Sequence, residues 1–236
     1  MPYIGTETSA KPIGIIGTGK MATGLGACFA KGGFSIQIAS RSPGRMEKFT
    51  SELKKIVRSS SADHPASEII GGTIEIVLQQ CQLIVLAIPT HIRNEQGKLV
   101  DGVVDFLAKY KSQLKGQSKI LLDITYYGQQ LFGNPTPPRP YRSAIEYHAT
   151  QLDDSKFLGR GGSTQWVCGF KSVNWTSLRD GKTQGIEIAG DRGAREILST
   201  IMLRSGFKPL DCGSIGEAGK TEPGSAERDP HPEASI

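Results

Sequence analysis

A glycine-rich run directly after a short apolar stretch constrains this chain more than any other feature of its sequence. Residues 14–26 read GIIGTGKMATGLG. The pattern predicts a strand over 12–17 and a helix over 20–32, with a tight turn at Gly17 between them. A second strand is predicted over 34–40. The run therefore lies in a strand–helix–strand unit, which is the context that a dinucleotide-binding fingerprint requires.

The residue types at the turn are suited to a pyrophosphate. Gly19 has no side chain, so a backbone can approach phosphate oxygens closely, and the helix from about Lys20 offers N–H groups and the positive end of its dipole. Ala22 stands at the third position of the G-x-G-x-x-G/A pattern, which permits alanine. Gly24 is expected to let the helix pack closely on the sheet, and so is Gly26. The alternative is a glycine-rich turn that holds no ligand.

The residues after the second strand indicate which dinucleotide is held. An NAD site usually places Asp or Glu about 20 residues after the fingerprint, against the ribose 2′-hydroxyl. Here the strand ends in IAS and continues as RSPGR, which supplies Ser40, Arg41, Ser42 and Arg45 instead of an acid. Because arginine binds phosphate oxygens through charge-assisted hydrogen bonds, this patch predicts a 2′-phosphate and therefore NADP(H). The alternative for the two arginines is a solvated loop.

Apolar stretches and amphipathic stretches alternate along the rest of the chain. Further strands are predicted over 73–77, 82–88, 119–125, 164–170, 184–189 and 207–211. Helices are predicted over 98–114 and 191–205, the latter from an N-cap at Asp191 to a stop at Gly206. This alternation predicts an α/β fold with a Rossmann-like, doubly wound and mostly parallel sheet that carries extra C-terminal strands.

The expected organisation is one domain over 12–215, preceded by an N-terminal tail over 1–11. Residues 216–236 are polar and rich in Pro and Gly, so a disordered tail is expected there. A surface loop is predicted over 59–68. The proline-rich segment 128–142 follows a predicted strand end, where α/β proteins bind ligands. It forms either a lid or pocket wall, or a surface excursion.

Composition excludes several other classes of protein. The net charge of +5 suits an anionic ligand, but no block of basic residues favours nucleic acid as a partner. The four cysteines are far apart and form no metal-binding or disulfide pattern, so no metal is expected and a reducing compartment fits best. No apolar run approaches the roughly 18 residues of a membrane span. A cytoplasmic protein with a small-molecule substrate and no membrane partner is therefore expected.

Several spaced segments together resemble a known family. They are the glycine-rich run with ASRSPGR, LAIP at 86–89, LLDIT at 121–125, SAIEY at 143–147, and the closing runs IEIAGD and RSGFKPLDCGSI. They resemble the NADP oxidoreductases of the deazaflavin-coenzyme-dependent type, which include the cytosolic domain of STEAP metalloreductases. The resemblance covers about residues 12–216 and suggests a homodimer.

The resemblance implies positions for the parts of the cofactor. Thr18, Gly19, Lys20 and Met21 would cradle the pyrophosphate, and Ser40, Arg41 and Arg45 would hold the 2′-phosphate. Ala87, Ile88 and Pro89 would line the path from the adenosine to the nicotinamide, which would lie near Thr125 and Gly169–Phe170. The chain departs from the family pattern at two places close to that ring: Tyr126–Tyr127 replace Asn-Pro, and Lys171 replaces Asn.

These positions supply the candidates for chemistry. The predicted function is an NADPH-dependent reductase that transfers hydride to a small organic acceptor, which is a carbonyl, an imine or a flavin. His91 and Tyr126 are the candidate proton donors; the alternatives are a loop histidine and an aromatic pocket wall. Lys171 is expected at the surface and His148 in a structural role. The alternative function is a Rossmann-type protein without a redox role, which catalyses a rearrangement or cyclisation or senses NADP for a partner.

Overall fold

Ten strands and seven α-helices make up the computed structural model, which describes residues 11–60, 68–93, 96–115, 117–125, 140–152, 164–181 and 185–223. The strands are β1 (Ile13–Ile16), β2 (Ile36–Ala39), β3 (Ile69–Gly72), β4 (Leu83–Leu86), β5 (Ile92–Arg93), β6 (Leu99–Val100), β7 (Ile120–Asp123), β8 (Gln165–Gly169), β9 (Gly185–Gly190) and β10 (Lys208–Asp211). The helices are α1 (Lys20–Lys31), α2 (Pro43–Ser60), α3 (Ile74–Gln80), α4 (Gly102–Leu114), α5 (Ala144–Leu152), α6 (Trp175–Asp180) and α7 (Arg192–Arg204), and a 3₁₀ helix spans Ile215–Thr221.

Eight of these strands form one sheet in the order β3-β2-β1-β4-β7-β8-β9-β10. The first six run parallel, in the arrangement of a Rossmann fold. β9 pairs antiparallel with β8, and β10 pairs parallel with β9, so these two added strands run the opposite way. The predicted doubly wound, mostly parallel sheet with extra C-terminal strands is therefore confirmed. β5 and β6 form a separate short antiparallel pair.

Apolar side chains cover both faces of the sheet. On β4, Leu83 and Val85 pack into the core beneath α1, α2 and α7, while Ile84 and Leu86 pack into the core beneath α3, α4 and α5. Because successive side chains of a strand point to opposite faces, a continuous apolar run such as LIVL fits a central strand that is buried on both sides.

The glycines inside α1 permit close packing between helices. A Cβ atom at Gly24 would lie 2.6 Å from the backbone oxygen of Trp175, at the start of α6. A Cβ atom at Gly26 would lie 2.7 Å from a methyl group of Leu53 on α2. The expectation of close helix-to-sheet packing therefore needs correction, because the tightest approaches at both glycines are to neighbouring helices.

The strand predicted over 73–77 is wrong, because these residues open helix α3. Thr73 is its N-cap, and the Thr73 hydroxyl accepts a hydrogen bond from the Ile76 N–H at 3.3 Å. Ile74 and Val77 are buried while Ile76 is 38% exposed. A spacing of three between buried residues matches a helix and not the alternation of a strand. The strand of this region is β3, just before Thr73.

The predicted disordered tail is wrong over its first residues. The 3₁₀ helix begins after Ser214, whose side chain and that of Glu217 form a reciprocal capping box. Ala218 and Thr221 are buried against the sheet and α5. Small side chains thus anchor a segment that has no apolar periodicity. Residues 1–10 and 224–236 lie outside the described residues, so the tails predicted there are not tested.

Other boundaries differ locally. Helix α4 begins at Gly102, because Asp101 caps it, and not at residue 98. Asp191 does occupy the N-cap of α7, but its carboxylate accepts from the Trp166 N–H at 2.7 Å. The loop predicted over 59–68 begins inside α2, and residues 61–67 lie outside the described part. Among the described residues, no helix has the length and apolarity needed to cross a bilayer.

Candidate functional site

The carboxyl ends of β1, β2 and β4 border a cavity of about 270 Å³. The chain order of the sheet reverses between β1 and β4, and ligands of open α/β sheets bind at such a switch point. Nine of the twelve residues predicted to bind the cofactor line this cavity: Gly17, Thr18, Gly19, Ser40, Arg41, Arg45, Ala87, Ile88 and Pro89. Lys20, Met21 and Ser42 are the three that do not line it. The structure therefore brings the residues after three different strands around one space.

The turn after β1 is fixed from two sides. Gly17 has φ of 126°, a left-handed conformation that side chains rarely adopt, and its N–H donates to the Ala39 carbonyl at 2.8 Å. A Cβ atom at Gly17 would lie 2.2 Å from the carbonyl oxygen of Ala87. Only glycine fits this turn, because both the backbone conformation and the neighbouring strand end exclude a side chain.

Helix α1 presents its N-terminus without a cap. Its N-cap is Gly19, and the first turn contains no acidic residue. Within the described part of the chain, no side chain accepts from the first N–H groups, and a Cβ atom built on Gly19 meets no atom within 4 Å. Open space in front of unsatisfied N–H groups and a positive dipole end suits a bound anion.

The residues after β2 add cationic groups at the rim. Arg41 and Arg45 are exposed, and neither forms an ion pair with a carboxylate among the described residues. Ser40 is half-buried, and its hydroxyl accepts from the N–H of Ser42 at 3.3 Å. Ser40 lines the cavity, whereas Ser42 does not. Two guanidinium groups near an uncapped helix terminus favour a ligand with several negative charges.

Helices α3 and α4 form a wall of the cavity that was not predicted. It comprises Ile74, Asp105, Phe106, Lys109 and Tyr110, with Ile92 and Gly102 beside them. Phe106 and Tyr110 belong to the helix predicted over 98–114, and their rings pack with centroids 5.1 Å apart. Asp105 and Lys109 repeat the same four-residue spacing on this helix. This polar pair next to an aromatic pair was the available sequence signal.

Of the two candidate proton donors, the structure describes only His91. His91 is half-buried, and its Nδ1 lies 3.0 Å from the hydroxyl of Thr90. Its neighbours Pro89 and Ile92 line the cavity, but His91 does not. Tyr126 and Tyr127 fall outside the described residues, as does most of the proline-rich segment 128–142. The catalytic assignments therefore stay predictions.

A second polar cluster lies at the carboxyl end of β7. His148 on α5 is fully buried, and its Nδ1 lies 2.7 Å from Asp123 Oδ2 while its Nε2 lies 3.3 Å from Asp101 Oδ2. Asp123 also accepts from the N–H and hydroxyl of Thr125, at 2.8 and 2.6 Å. Asp101 caps α4 by accepting from the N–H of Val103 at 2.8 Å. His148 thus links a strand end to the helix that lines the cavity.

This cluster is charged at neutral pH. Burial raises the pKa of Asp123, but the charge and hydrogen bond of His148 outweigh it and lower that pKa to about 2. Burial lowers the pKa of His148, but the two carboxylates raise it to about 9. Both ring nitrogens of the protonated imidazole are donors, which matches the two carboxylate partners. The predicted structural role of His148 agrees with this arrangement.

Lys171 is buried, so its predicted surface position is wrong. Its side chain is 1% exposed, and its Nζ lies 2.6 Å from Glu222 Oε1. The same oxygen accepts from the N–H of Ala144, at the start of α5, at 3.0 Å. Although burial lowers the pKa of Lys171, the Glu222 charge raises it above its usual value. Lys171 is buried because the 3₁₀ helix carries Glu222 over the carboxyl end of β8.

Further contacts at the end of β8 pack densely around Lys171. Cys168 is buried, and its Sγ lies 3.3 Å from the hydroxyl of Thr221. Phe170 has φ of 60°, and its ring meets those of Phe29 and Phe207 edge-on, at centroid distances of 6.0 and 6.4 Å. All four cysteines of the chain are free of disulfides. The position expected to face the nicotinamide is therefore densely packed on the β8 side.

The fold and the cavity define a Rossmann-type α/β protein with open space at its switch point. Residues 12–101 match the model of the family described as "NADP oxidoreductase coenzyme F420-dependent". This match bears out the predicted resemblance over the glycine-rich run, ASRSPGR and LAIP, which lie within the matched residues. No curated protein matches the chain in sequence.

Solved structures extend the likeness to the whole fold. A hypothetical protein from Sinorhizobium meliloti is similar with a TM-score of 0.67 and 16% identity, over 91% of this chain and 91% of that chain. A protein described as an F420-dependent NADP-reductase, from Arthrobacter sp. FB24, is similar with a TM-score of 0.63 and 17% identity, over 89% of this chain and 87% of that chain. An imine reductase from Bacillus cereus is similar with a TM-score of 0.56 and 15% identity, over 89% of this chain and 57% of that chain. At such identities the likeness shows the fold.

Proposed function

We propose that this protein is an NADPH-dependent reductase that transfers hydride to a small organic acceptor, which is a carbonyl, an imine or a flavin. The observation that carries the proposal is the cavity at the switch point. It joins an uncapped helix N-terminus to two arginines that have no acidic partner among the described residues. The matched family of NADP oxidoreductases supports the same cofactor.

Each part of the cavity suits one part of NADP(H). The N-terminus of α1, with Thr18, Gly19, Lys20 and Met21, would hold the pyrophosphate. The segment Ser40–Arg45 would hold the 2′-phosphate, and Ala87–Pro89 would form the wall at the end of β4. A volume of about 270 Å³ lies at the small end of ligand pockets, which are roughly 300–1,000 Å³. This space is therefore suited to part of a dinucleotide, and the reactive ring would extend towards β7.

The chemistry needs mainly positioning by the protein. NADPH, when bound, supplies the hydride, and the chain has to orient the ring, exclude water and provide a proton where the acceptor needs one. A reduced ketone or imine takes up a proton, for which His91 and Tyr126 remain the proposed donors. His91 follows the strand end that borders the cavity, which supports this role.

Turnover of NADPH against a panel of small carbonyls, imines and free flavin tests the proposal. At least one acceptor class should consume NADPH faster than NADH. In Arg41→Ala the KM for NADPH should rise roughly tenfold with little change in kcat, because a contact to the 2′-phosphate binds the ground state and transition state equally. Lys48→Ala is the matched control, since Lys48 is an exposed cation of α2 that does not line the cavity. No consumption with any acceptor would contradict the proposal.

A second candidate is a Rossmann-type protein without a redox role, either a catalyst of rearrangement or cyclisation or an NADP-sensing partner protein. The observation that favours it is the closed end of β8, where Lys171 is held by Glu222 and so does not project into open space. Deuterium-labelled NADPH separates the two candidates. Deuterium in the reduced product supports hydride transfer. A product that contains no deuterium and forms without consumption of NADPH supports the second candidate.

A further inference from the structure

We propose that Lys109, on α4, is a third cation of the 2′-phosphate site and contributes to a preference for NADP(H) over NAD(H). The inference rests on the proposed function, because it assumes that the cavity holds the adenosine end of that cofactor. It adds a residue from an element that lies far from the glycine-rich run and from the arginine patch in sequence.

Residues from both faces of the sheet border the cavity. α1 and α2 pack on one face, and Arg45 belongs to α2. α3 and α4 pack on the other face, and Lys109 belongs to α4. Residues of α2, α3 and α4, together with Gly19 at the N-cap of α1, line one cavity of about 270 Å³. Cations from opposite faces therefore border the same small space and can approach one phosphate from two sides.

The surroundings of Lys109 also suit contact with a phosphate group. Its Nζ lies 5.7 Å from the centroid of the Tyr110 ring, which is buried. The carboxylate of Glu75, at the start of α3, interacts electrostatically with Lys109. The two groups do not form an ion pair, and Lys109 forms none with any other carboxylate among the described residues. The ammonium group of Lys109 thus lies beside an aromatic ring, and no described carboxylate holds it in an ion pair.

The balance of charge around the cavity favours a phosphorylated ligand. Arg41, Arg45 and Lys109 line the cavity with a single carboxylate, that of Asp105. A phosphate monoester carries about −1.5 to −2 charges at neutral pH, whereas the ribose hydroxyl of NAD(H) carries none. An excess of cations therefore favours the phosphorylated cofactor. Because all three cations are exposed, solvent and salt screen each of them and the effect of one is a few-fold.

Calorimetric titration of NADP⁺ and NAD⁺ into the full chain and its variants tests this role. In Lys109→Met the Kd for NADP⁺ should rise roughly three- to tenfold, while the Kd for NAD⁺ changes less than about twofold. Lys109→Arg should retain the preference. Lys111→Met is the matched control, because it removes the same charge from the same helix at a residue that does not line the cavity.

The outcomes separate the two proposals. A ratio of affinities that falls in Arg41→Ala but not in Lys109→Met overturns the role of Lys109 and leaves the proposed function standing. An equal loss of NADP⁺ and NAD⁺ affinity in Lys109→Met also overturns it, because Lys109 would then serve the shared adenosine. A wild-type chain that binds NAD⁺ as tightly as NADP⁺ overturns the proposed cofactor itself.

Discussion

The buried His148–Asp123 pair should make the stability of this protein fall between pH 6.5 and 9. Burial alone would lower the pKa of His148, but the carboxylates of Asp123 and Asp101 raise it from 6.5 to about 9. Because the folded pKa is raised, the stabilisation is fully present below pH 6.5 and is lost as the pH rises through 9. A shift of this size corresponds to about 3 kcal/mol of folding free energy.

The size of the His148 pKa shift determines how the free energy of unfolding should vary with pH. Urea unfolding at several pH values should give a free energy of unfolding that falls by up to about 1.4 kcal/mol per pH unit. The loss between pH 6.5 and 9 should total roughly 2–3 kcal/mol. The buried thiols change the free energy of unfolding mainly above this range. Burial raises the pKa of Cys28 and of Cys81 from 9 to about 12, so each thiol lowers the stability by only about 0.4 kcal/mol at pH 9 and by more above it.

A matched variant isolates the pair. In Asp123→Asn/His148→Gln both charges are removed together, so neither is left buried without its partner. Its free energy of unfolding should vary little over the same range. A wild-type curve that is flat between pH 6.5 and 9 would refute the assignment of a protonated, buried His148, and it would do so even if the double variant did not fold.

Three further results are expected from other parts of the structure. Lys171→Met should destabilise the fold by about 3–5 kcal/mol in urea unfolding, because it leaves the Glu222 carboxylate without its cation, and Lys171→Met/Glu222→Leu should recover much of the loss. Gly24→Ala should lower the free energy of unfolding by roughly 1–3 kcal/mol, because its Cβ would meet the Trp175 backbone. Gly19→Ala should leave the free energy of unfolding unchanged and weaken NADPH binding. Equal losses of stability in the two variants would contradict the open space at Gly19. A thiol reagent should modify Cys212 first in the native protein, because the other cysteines are buried, and mass spectrometry of peptides would reveal any other order.

The sequence was most informative where structure depends on neighbours in the chain. The unit β1–α1–β2 follows from a short apolar strand, a glycine turn and a helix start, all within about thirty residues. Even the error at α3 was local, because the spacing of Ile74 and Val77 already favoured a helix over a strand.

The parts that sequence reasoning missed depend on distant contacts. Lys171 and Glu222 are 51 residues apart, and His148 meets Asp101 across 47 residues. Nothing in the local pattern around Lys171 indicates that a polar, Pro- and Gly-rich segment will fold back over it. The α4 wall was missed for a related reason, because an amphipathic stripe shows which residues are buried but not that Lys109 and Asp105 border a cavity.

Binding of reduced cofactor to the wild-type chain and to Arg41→Ala tests the central claim most directly. Isothermal titration of NADPH and NADH, at one salt concentration, measures whether the cavity recognises the 2′-phosphate. NADPH should bind at least about tenfold more tightly than NADH, and Arg41→Ala should remove most of this difference. Equal affinities for the two cofactors, with no effect of Arg41→Ala, would contradict the claim.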